Sequence, residues 1–360
     1  MRDFLAALAA LSATVGAAQA TEMNISQYVF RDINRNGVYE IGEGPLAGVP
    51  ILLYQGEQDN IVEQSNLAGF TNFPMSDDPE DDPDISGPGP LEFRVVLPEG
   101  MEMTTGNPRQ QTVARLLPDA PGGIIIDPPL PFMGLAPKLT ITAGAEGVDG
   151  LTCESGGVSV AAEPVDDGFR CGVTQGVWTV RWALADGTEA QREVRVGNWP
   201  VRVPRPSGAV VQAEEDDLIV GFDNILYSEN IEEVASGHGG VHWHNMVAVH
   251  RKFYGGWGYV NGTVSGQFAA YNSSGHPGRL YSEEPFDFIG AFVSVAWPTA
   301  MDAPLRIEAI RDGEVVASDE FHASNMMPVW FDAGWGAVDE VRISHETYWQ
   351  VIIDDVRIGR

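Results

Sequence analysis

Apolar residues along this chain come in short runs of four to eight, many alternating with polar ones, and Gly or Pro closes most of them. The recurrence at three and four residues that marks an amphipathic helix is almost absent, whereas alternation at every second residue is what a strand with one buried face requires. Gln27 to Phe30, Gly48 to Tyr54, Leu91 to Leu97, Trp178 to Leu184, Arg192 to Val196, Arg306 to Ile310 and Val351 to Ile358 are predicted strands. Between two of them, Ala185-Asp186-Gly187-Thr188 supplies the Asp-Gly pair of a tight hairpin turn and predicts that the flanking strands pair. With 41 glycines and 24 prolines punctuating such runs, the pattern predicts an all-β chain.

Its 360 residues exceed one average domain, and the composition changes along them. Met1 to Ala20 reads as a signal peptide, with a thin n-region at Arg2, an Ala- and Leu-rich stretch from Phe4 to Ala17, and Ala18-Gln19-Ala20 as a small-x-small cleavage site. Residues 21–136 hold 18 acidic and 5 basic residues, and residues 137–205 hold 9 and 7 together with both cysteines. Residues 206–360 hold 23 and 8, all seven histidines and six of the nine tryptophans. These three stretches are the expected domains, with a linker around Pro200 to Asp217. A second acidic run, Asp77 to Asp84, is broken by Pro79 and Pro83 and reads as a solvated loop.

The net charge of −30 argues against a nucleic-acid partner, because phosphate binding needs a positive field. No Lys/Arg cluster exists to hold the chain on an anionic membrane, and no apolar run after the signal peptide is long enough to span one. The expected location is outside the cytoplasm: extracellular, on the cell surface or in the periplasm. There, Cys153 and Cys171 are expected to form one disulfide, since two thiolates without a second pair make a poor zinc site.

An excess of acid suits cations, and one segment has the spacing to hold one. Asp32-Ile33-Asn34-Arg35-Asn36-Gly37-Val38-Tyr39-Glu40-Ile41-Gly42-Glu43 matches the twelve-residue calcium loop D-x-[DN]-x-[DN]-G-x5-E throughout. Ca²⁺ takes six to eight oxygens; Asp32, Asn34 and Asn36 offer theirs at alternate positions, Val38 its carbonyl, Glu40 an oxygen direct or through water, and Glu43 two. Gly37 allows the sharp turn. Strand-like sequence on both sides excludes a helix-loop-helix hand.

From Val29-Phe30 through Asp32, Asn34, Asn36-Gly37, Glu40 and Gly42-Glu43 to Pro45-Leu46-Ala47-Gly48-Val49, the chain resembles the opening of the B-type, SD-repeat Ig-like domains of bacterial surface adhesins. Ser65 to Phe73 is similar to that family's middle turn and strand, and Leu91 to Gly100 to a later strand with its Pro-x-Gly turn. The resemblance implies an Ig-like, prealbumin-like sandwich in which calcium stiffens a spacer and performs no catalysis. The acidic-proline insert departs from the family's pattern.

In residues 206–360, Val220 to Asn224 opens the segment and Val351 to Ile358 closes it; first and last strands of a Greek-key sandwich commonly lie side by side. Asp223 would then meet Asp354 or Asp355, either around a cation or on solvated strand faces. Gly240 to Asn245, Gly258 to Ser265, Ala270 to Asn272, Phe286 to Phe288 and Val338 to Arg342 through Ile353 to Asp355 resemble jelly-roll-like domains of secreted bacterial proteins of the PEP-CTERM type. His242 and His244 share one face of a strand and could ligate Zn²⁺, Fe²⁺ or Mn²⁺, although Ala248 and Val249 occupy the places where a cupin-like site has its Glu. Trp243, Trp257, Tyr259 and Tyr271 are either a stacking platform for sugar rings or core, and Trp335 and Trp349 are the better exposed candidates.

No G-x-S-x-G elbow, H-E-x-x-H, P-loop or dinucleotide fingerprint is present. The expectation is therefore an all-β, multi-domain protein: an Ig-like sandwich binding Ca²⁺, a small disulfide-bonded β domain and a jelly-roll-like sandwich. Its expected role is non-catalytic binding of an extracellular polysaccharide or cell-surface ligand, with Trp257, Trp335 and Trp349 as ligand-binding residues. The alternative is a metal-dependent jelly-roll enzyme working through His242 and His244.

Overall fold

The alternating runs form strands, and α-helix among the described residues is confined to Trp257–Gly262. The computed structural model describes residues 23–56, 61–75, 84–85, 88–106, 108–116, 124–225, 230–346 and 350–359. The expected signal peptide, most of the acidic run and Trp349 lie outside them.

Two sheets build the first unit. One runs Phe70–Met75, Met23–Arg31, Met133–Pro137, Met101–Met103; the other runs Ile61–Gln64, Pro50–Tyr54, Gly89–Val95, Arg109–Leu116, Ile124–Asp127. Alternation places Ile51 and Leu53 inward from Pro50–Tyr54, and Leu91, Phe93 and Val95 inward from Gly89–Val95. They meet Val29, Phe73 and Leu135 of the first sheet in one shared core. Removing such side chains from water is the main favourable term for the unit.

The middle segment packs the sheet Val158–Ala161, Val148–Ser155, Gly176–Leu184, Glu189–Val196 against Thr140–Ala143 and Gly168–Gly172, over Trp178, Val180, Trp182 and Val194. The predicted hairpin forms here: Ala183 lies opposite Glu189, and the Asp186 carboxylate accepts the Thr188 N–H at 2.9 Å to close the turn. Cys153 and Cys171 are bonded and join the two layers. Their sequence separation of 18 makes the closed loop worth about 3 kcal/mol in the chain-entropy account. A Cys153→Ser/Cys171→Ser variant is therefore expected to unfold in urea with that much less stability, read by the fluorescence of Trp178 and Trp182. An unchanged midpoint would show that the bond adds nothing.

Val201–Arg202 pairs in parallel with Thr140–Ala143 on one side and with Val329–His345 on the other, so the middle sheet continues into the third segment. Arg202, fully buried, forks onto both Asp319 oxygens at 2.7 and 2.9 Å and fixes that junction. Beyond it, the long strands Gly278–Val295 and Val329–His345 pair with several register shifts, which bend them around a core including Phe288, Leu305, Phe331 and Ile353. Leu218–Val220 lies antiparallel to Val351–Gly359, with Val220 opposite Val356, so the first and last strands are neighbours as expected.

The first unit touches the third through Trp257–Gly262. A Cβ on Gly48 would lie 2.2 Å from the Trp257 ring, so only glycine admits that approach. Beside it the buried Asn261 amide pairs with both backbone groups of Ala47, accepting its N–H at 2.9 Å and donating to its carbonyl at 3.0 Å.

Candidate functional site

Asp32 follows directly on the strand Met23–Arg31 and is 0% exposed. Its carboxylate accepts the N–H groups of Asn36 at 3.3 Å and Gly37 at 2.8 Å; Asn34 accepts from Asn36 N–H at 3.0 Å, and Asn36 from Val38 N–H at 2.8 Å. These short bonds wind the loop, with Gly37 at φ +73°, a conformation that side chains with a Cβ resist. Arg31 N–H bonds the Gly44 carbonyl at 2.8 Å and closes the loop at its base. Tyr39 packs edge-on against Tyr28, Phe30 and Phe132, which holds the loop's far side to the sandwich.

Glu43 takes the Glu40 N–H at 2.9 Å with one oxygen, while its other oxygen is buried and accepts no hydrogen bond. Burial first, and then the charges of Asp32 and Glu40, push its carboxyl above the ordinary glutamate range. A carboxylate with one buried oxygen lacking a donor, beside a second carboxylate, is the arrangement a hard cation relieves. The Asn34 amide donates to Glu40 at 2.8 Å, so the acids are not drawn to one centre. Indeed, among the described residues no three His, Cys, Asp or Glu side chains stand close enough to hold an ion. The donor set still fits calcium: Asp32, Asn34, Asn36, the Val38 carbonyl, Glu40 and Glu43 offer oxygen alone, with Asn34 and Glu40 exchanging their mutual contact for the ion.

The acids of the last strand do meet Asp223, on the loop Val264 to Gln267. Asp354, fully buried, accepts the N–H groups of Val264 at 2.8 Å, Ser265 at 3.1 Å and Asp355 at 2.9 Å. Asp355 accepts the Ser265 hydroxyl at 2.7 Å, and the exposed Asp223 accepts the Gln267 N–H at 2.7 Å. Asp354 is thus a cap for backbone groups, which leaves Asp355 as the acid of the last strand that pairs with Asp223. Burial, with the Asp355 charge behind it, raises the Asp354 carboxyl to about 7. Facing it from the first unit is Arg31, also buried, whose guanidinium donates to the carbonyls of Asn261 and Thr263, each at 2.7 Å. Burial lowers that guanidinium to about 10, and Asp354 pulls it partway back.

His242 and His244 share a face of His242–His244, but the His242 ring bonds the Ser236 hydroxyl at 2.5 Å and packs on Tyr281, and no third ligand joins them among the described residues. Two of the tryptophans are corrected. Trp335 is 7% exposed, wedged between Phe288 and Phe331, because it stands opposite Phe288 on the inward face of its bent strand. Trp257 is half-buried over Gly48, so neither presents a free ring.

A half-exposed aromatic group lies elsewhere. Trp199, Phe292 and Trp330 line a cleft of about 270 Å³ together with Arg195, Asp355 and Arg357. Sequence reasoning passed over it because its rings are far apart in the chain. The available signal was parity: Ala291, Val293 and Phe331 are core, so Phe292 and Trp330 must face out.

No protein-family model matches the chain, and no curated protein sequence does either. Among solved structures it is similar to the Bacillus anthracis TIE protein, at 9% identity over 51% of this chain and 33% of that one, with a TM-score of 0.21. It is similar to CBM51-2 in complex with GlcNAc and INT domains from Clostridium perfringens ZmpB, at 12% identity over 61% of this chain and 46% of that one, with a TM-score of 0.22. It is also similar to BcpA, the major pilin subunit of Bacillus cereus, at 8% identity over 87% of this chain and 100% of that one, with a TM-score of 0.19. The chain spans between a third and a half of the length of the first two. TM-scores near 0.2 leave function to the chain's own residues. No helix among the described residues is long and apolar enough to cross a membrane.

Proposed function

We propose that this chain is an extracellular, non-catalytic binding protein whose first unit is stiffened by calcium in the loop Asp32 to Glu43. The observation that carries it is the buried Glu43 oxygen without a donor, beside Asp32, whose own oxygens accept the Asn36 and Gly37 N–H groups of the loop. Asp32, Asn34, Asn36, Val38, Glu40 and Glu43 would hold the ion, which would neutralise the paired acids and tie the loop's two ends. Supporting the non-catalytic part, the buried acids of the third segment cap backbone rather than face a cavity together.

Calcium titration of the mature protein by calorimetry is expected to show uptake, and EDTA to lower the melting temperature. Because the ion binds only the folded loop, free Ca²⁺ at one hundred times its Kd adds about 2.7 kcal/mol of stability. Asp32→Ala is expected to abolish both responses while the protein remains folded. No heat of binding at millimolar Ca²⁺ would sink this reading.

A further inference from the structure

We propose that the cleft between Trp199, Phe292 and Trp330 binds an uncharged, hydroxyl-rich saccharide, a step that rests on the reading of the chain as a binding protein and gives it a site and a ligand class. The outer face of a sandwich sheet is ordinarily polar, yet here three neighbouring strands turn apolar side chains outward. Ile219 lies opposite Arg357, and Phe292 lies opposite both Asp354 and Trp330, while the next residues Val220, Val293 and Phe331 enter the core. Trp199, arriving from the connection after Glu189–Val196, sets its ring edge-on to Phe292 at 5.6 Å, and Phe292 does the same to Trp330 at 5.1 Å. The buried Arg31 guanidinium lies 5.1 Å from the centre of the Trp199 ring and fixes it from the inner side.

The rim supplies what sugar hydroxyls need. Asp355 keeps one oxygen beyond its bond to Ser265, Arg357 is oriented by Asp217 at 2.9 Å, and the exposed Arg195 makes no ion pair among the described residues. A carboxylate accepts and a guanidinium donates, and a hydroxyl does both, so the mixed rim suits polyols. Aromatic faces take the C–H side of the ring. A cleft of 270 Å³ falls just below the usual range of ligand sites, roughly 300–1,000 Å³, and fits a ring or a chain end rather than a buried oligosaccharide. The net charge of −30 opposes approach of an acidic polymer. The larger groove of 690 Å³ between the middle and third segments is the weaker candidate. Within it Arg306 pairs with Glu320 at 2.7 Å, and its one phenyl ring, Phe321, is buried.

The test is affinity electrophoresis of the mature protein in calcium-containing gels loaded with laminarin, xylan, mannan or alginate. Retardation by at least one neutral polymer and none by alginate is expected. Trp330→Ala, and Ile219→Trp, which crowds the cleft at a residue 60% exposed, are each expected to weaken binding about tenfold or more, the scale of losing a central aromatic contact. Phe253→Ala, at an exposed ring outside the cleft, is expected to bind as the parent does. If Trp330→Ala misfolds by circular dichroism, Ile219→Trp decides. Retention of the parent with both cleft variants unaffected overturns the cleft and leaves the binding-protein reading intact. Retention by alginate alone overturns the ligand class, and retention by none of the polymers overturns the saccharide assignment, while the calcium titration judges the first reading separately.

Discussion

Replacing Arg31 by methionine is expected to cost the protein about 2–5 kcal/mol at pH 8, because two buried carbonyls lose a charged donor at about 1–3 kcal/mol each. Methionine keeps most of the apolar stem, so the loss isolates the guanidinium. That group satisfies two carbonyls of the segment Asn261 to Thr263, faces the buried Asp354, and lies on Trp199. Without it, the carbonyls lose their donors and Asp354 loses the attraction of a buried guanidinium. Urea unfolding at pH 8 measures the effect. The double variant Arg31→Met/Asp354→Asn is expected to lose less than the two single losses combined, because neither charge is then stranded. A loss under about 1 kcal/mol, or strict additivity, would show that the two groups do not depend on each other. The position has wider reach, since Arg31 is followed at once by the first proposed calcium ligand and its own N–H closes that loop on Gly44. One residue thus touches the loop, the contact between first and third units, and a wall of the aromatic cleft.

What the chain revealed before its structure was whatever it carries contiguously. The strand Gly48 to Tyr54 was readable as a short apolar run, and the parity of its two faces then carries Ile51 and Leu53 inward. The Asp-Gly turn at Asp186-Gly187 was readable because its hydrogen bonds span only two residues. The loop Asp32 to Glu43 was readable for the same reason, since every oxygen it offers comes from twelve successive residues.

Features assembled from distant segments were not readable. Asp354 looked like a ligand because adjacent first and last strands would bring Asp223 to it, and converging carboxylates are costly without a counter-charge. Its actual partners, the N–H groups of Val264 and Ser265, lie 90 and 89 residues away, and no local pattern announces them. Trp335 stood among glycines and looked exposed, yet the register shifts that bend its strand point the ring at Phe288. Trp199 sits in a stretch that reads as the edge of a linker, and only the pairing of Val201–Arg202 with Val329–His345 brings it beside Phe292. Propensity and parity decide strands, whereas the partners across a sheet are chosen by tertiary packing.

The stability of the calcium-free protein is expected to fall as pH rises from about 4 to about 8, and Asp354 is expected to supply most of that slope. Its carboxyl is raised from 3.8 in the open chain to about 7 in the fold, with burial as the leading cause and the Asp355 charge second. The folded state therefore holds this proton more tightly than the unfolded state. Its contribution is complete below about pH 4 and is lost as pH rises through 7. Three pH units of such a difference correspond to about 4 kcal/mol, an upper figure because Arg31 favours the ionised form. The measurement is urea unfolding in EDTA across that range, for the parent and for Asp354→Asn. An asparagine at this place meets three N–H donors with one oxygen and an NH₂ where a carboxylate had two oxygens, so it lowers stability throughout, but by an amount that does not titrate. The difference between the two curves is expected to change by several kcal/mol between pH 4 and pH 8 and to flatten above it. Parallel curves would mean that Asp354 enters the fold with its ordinary acidity. In that case its three N–H donors and Arg31 outweigh its burial, and the cost of Arg31→Met would be nearly the same at pH 5 as at pH 8.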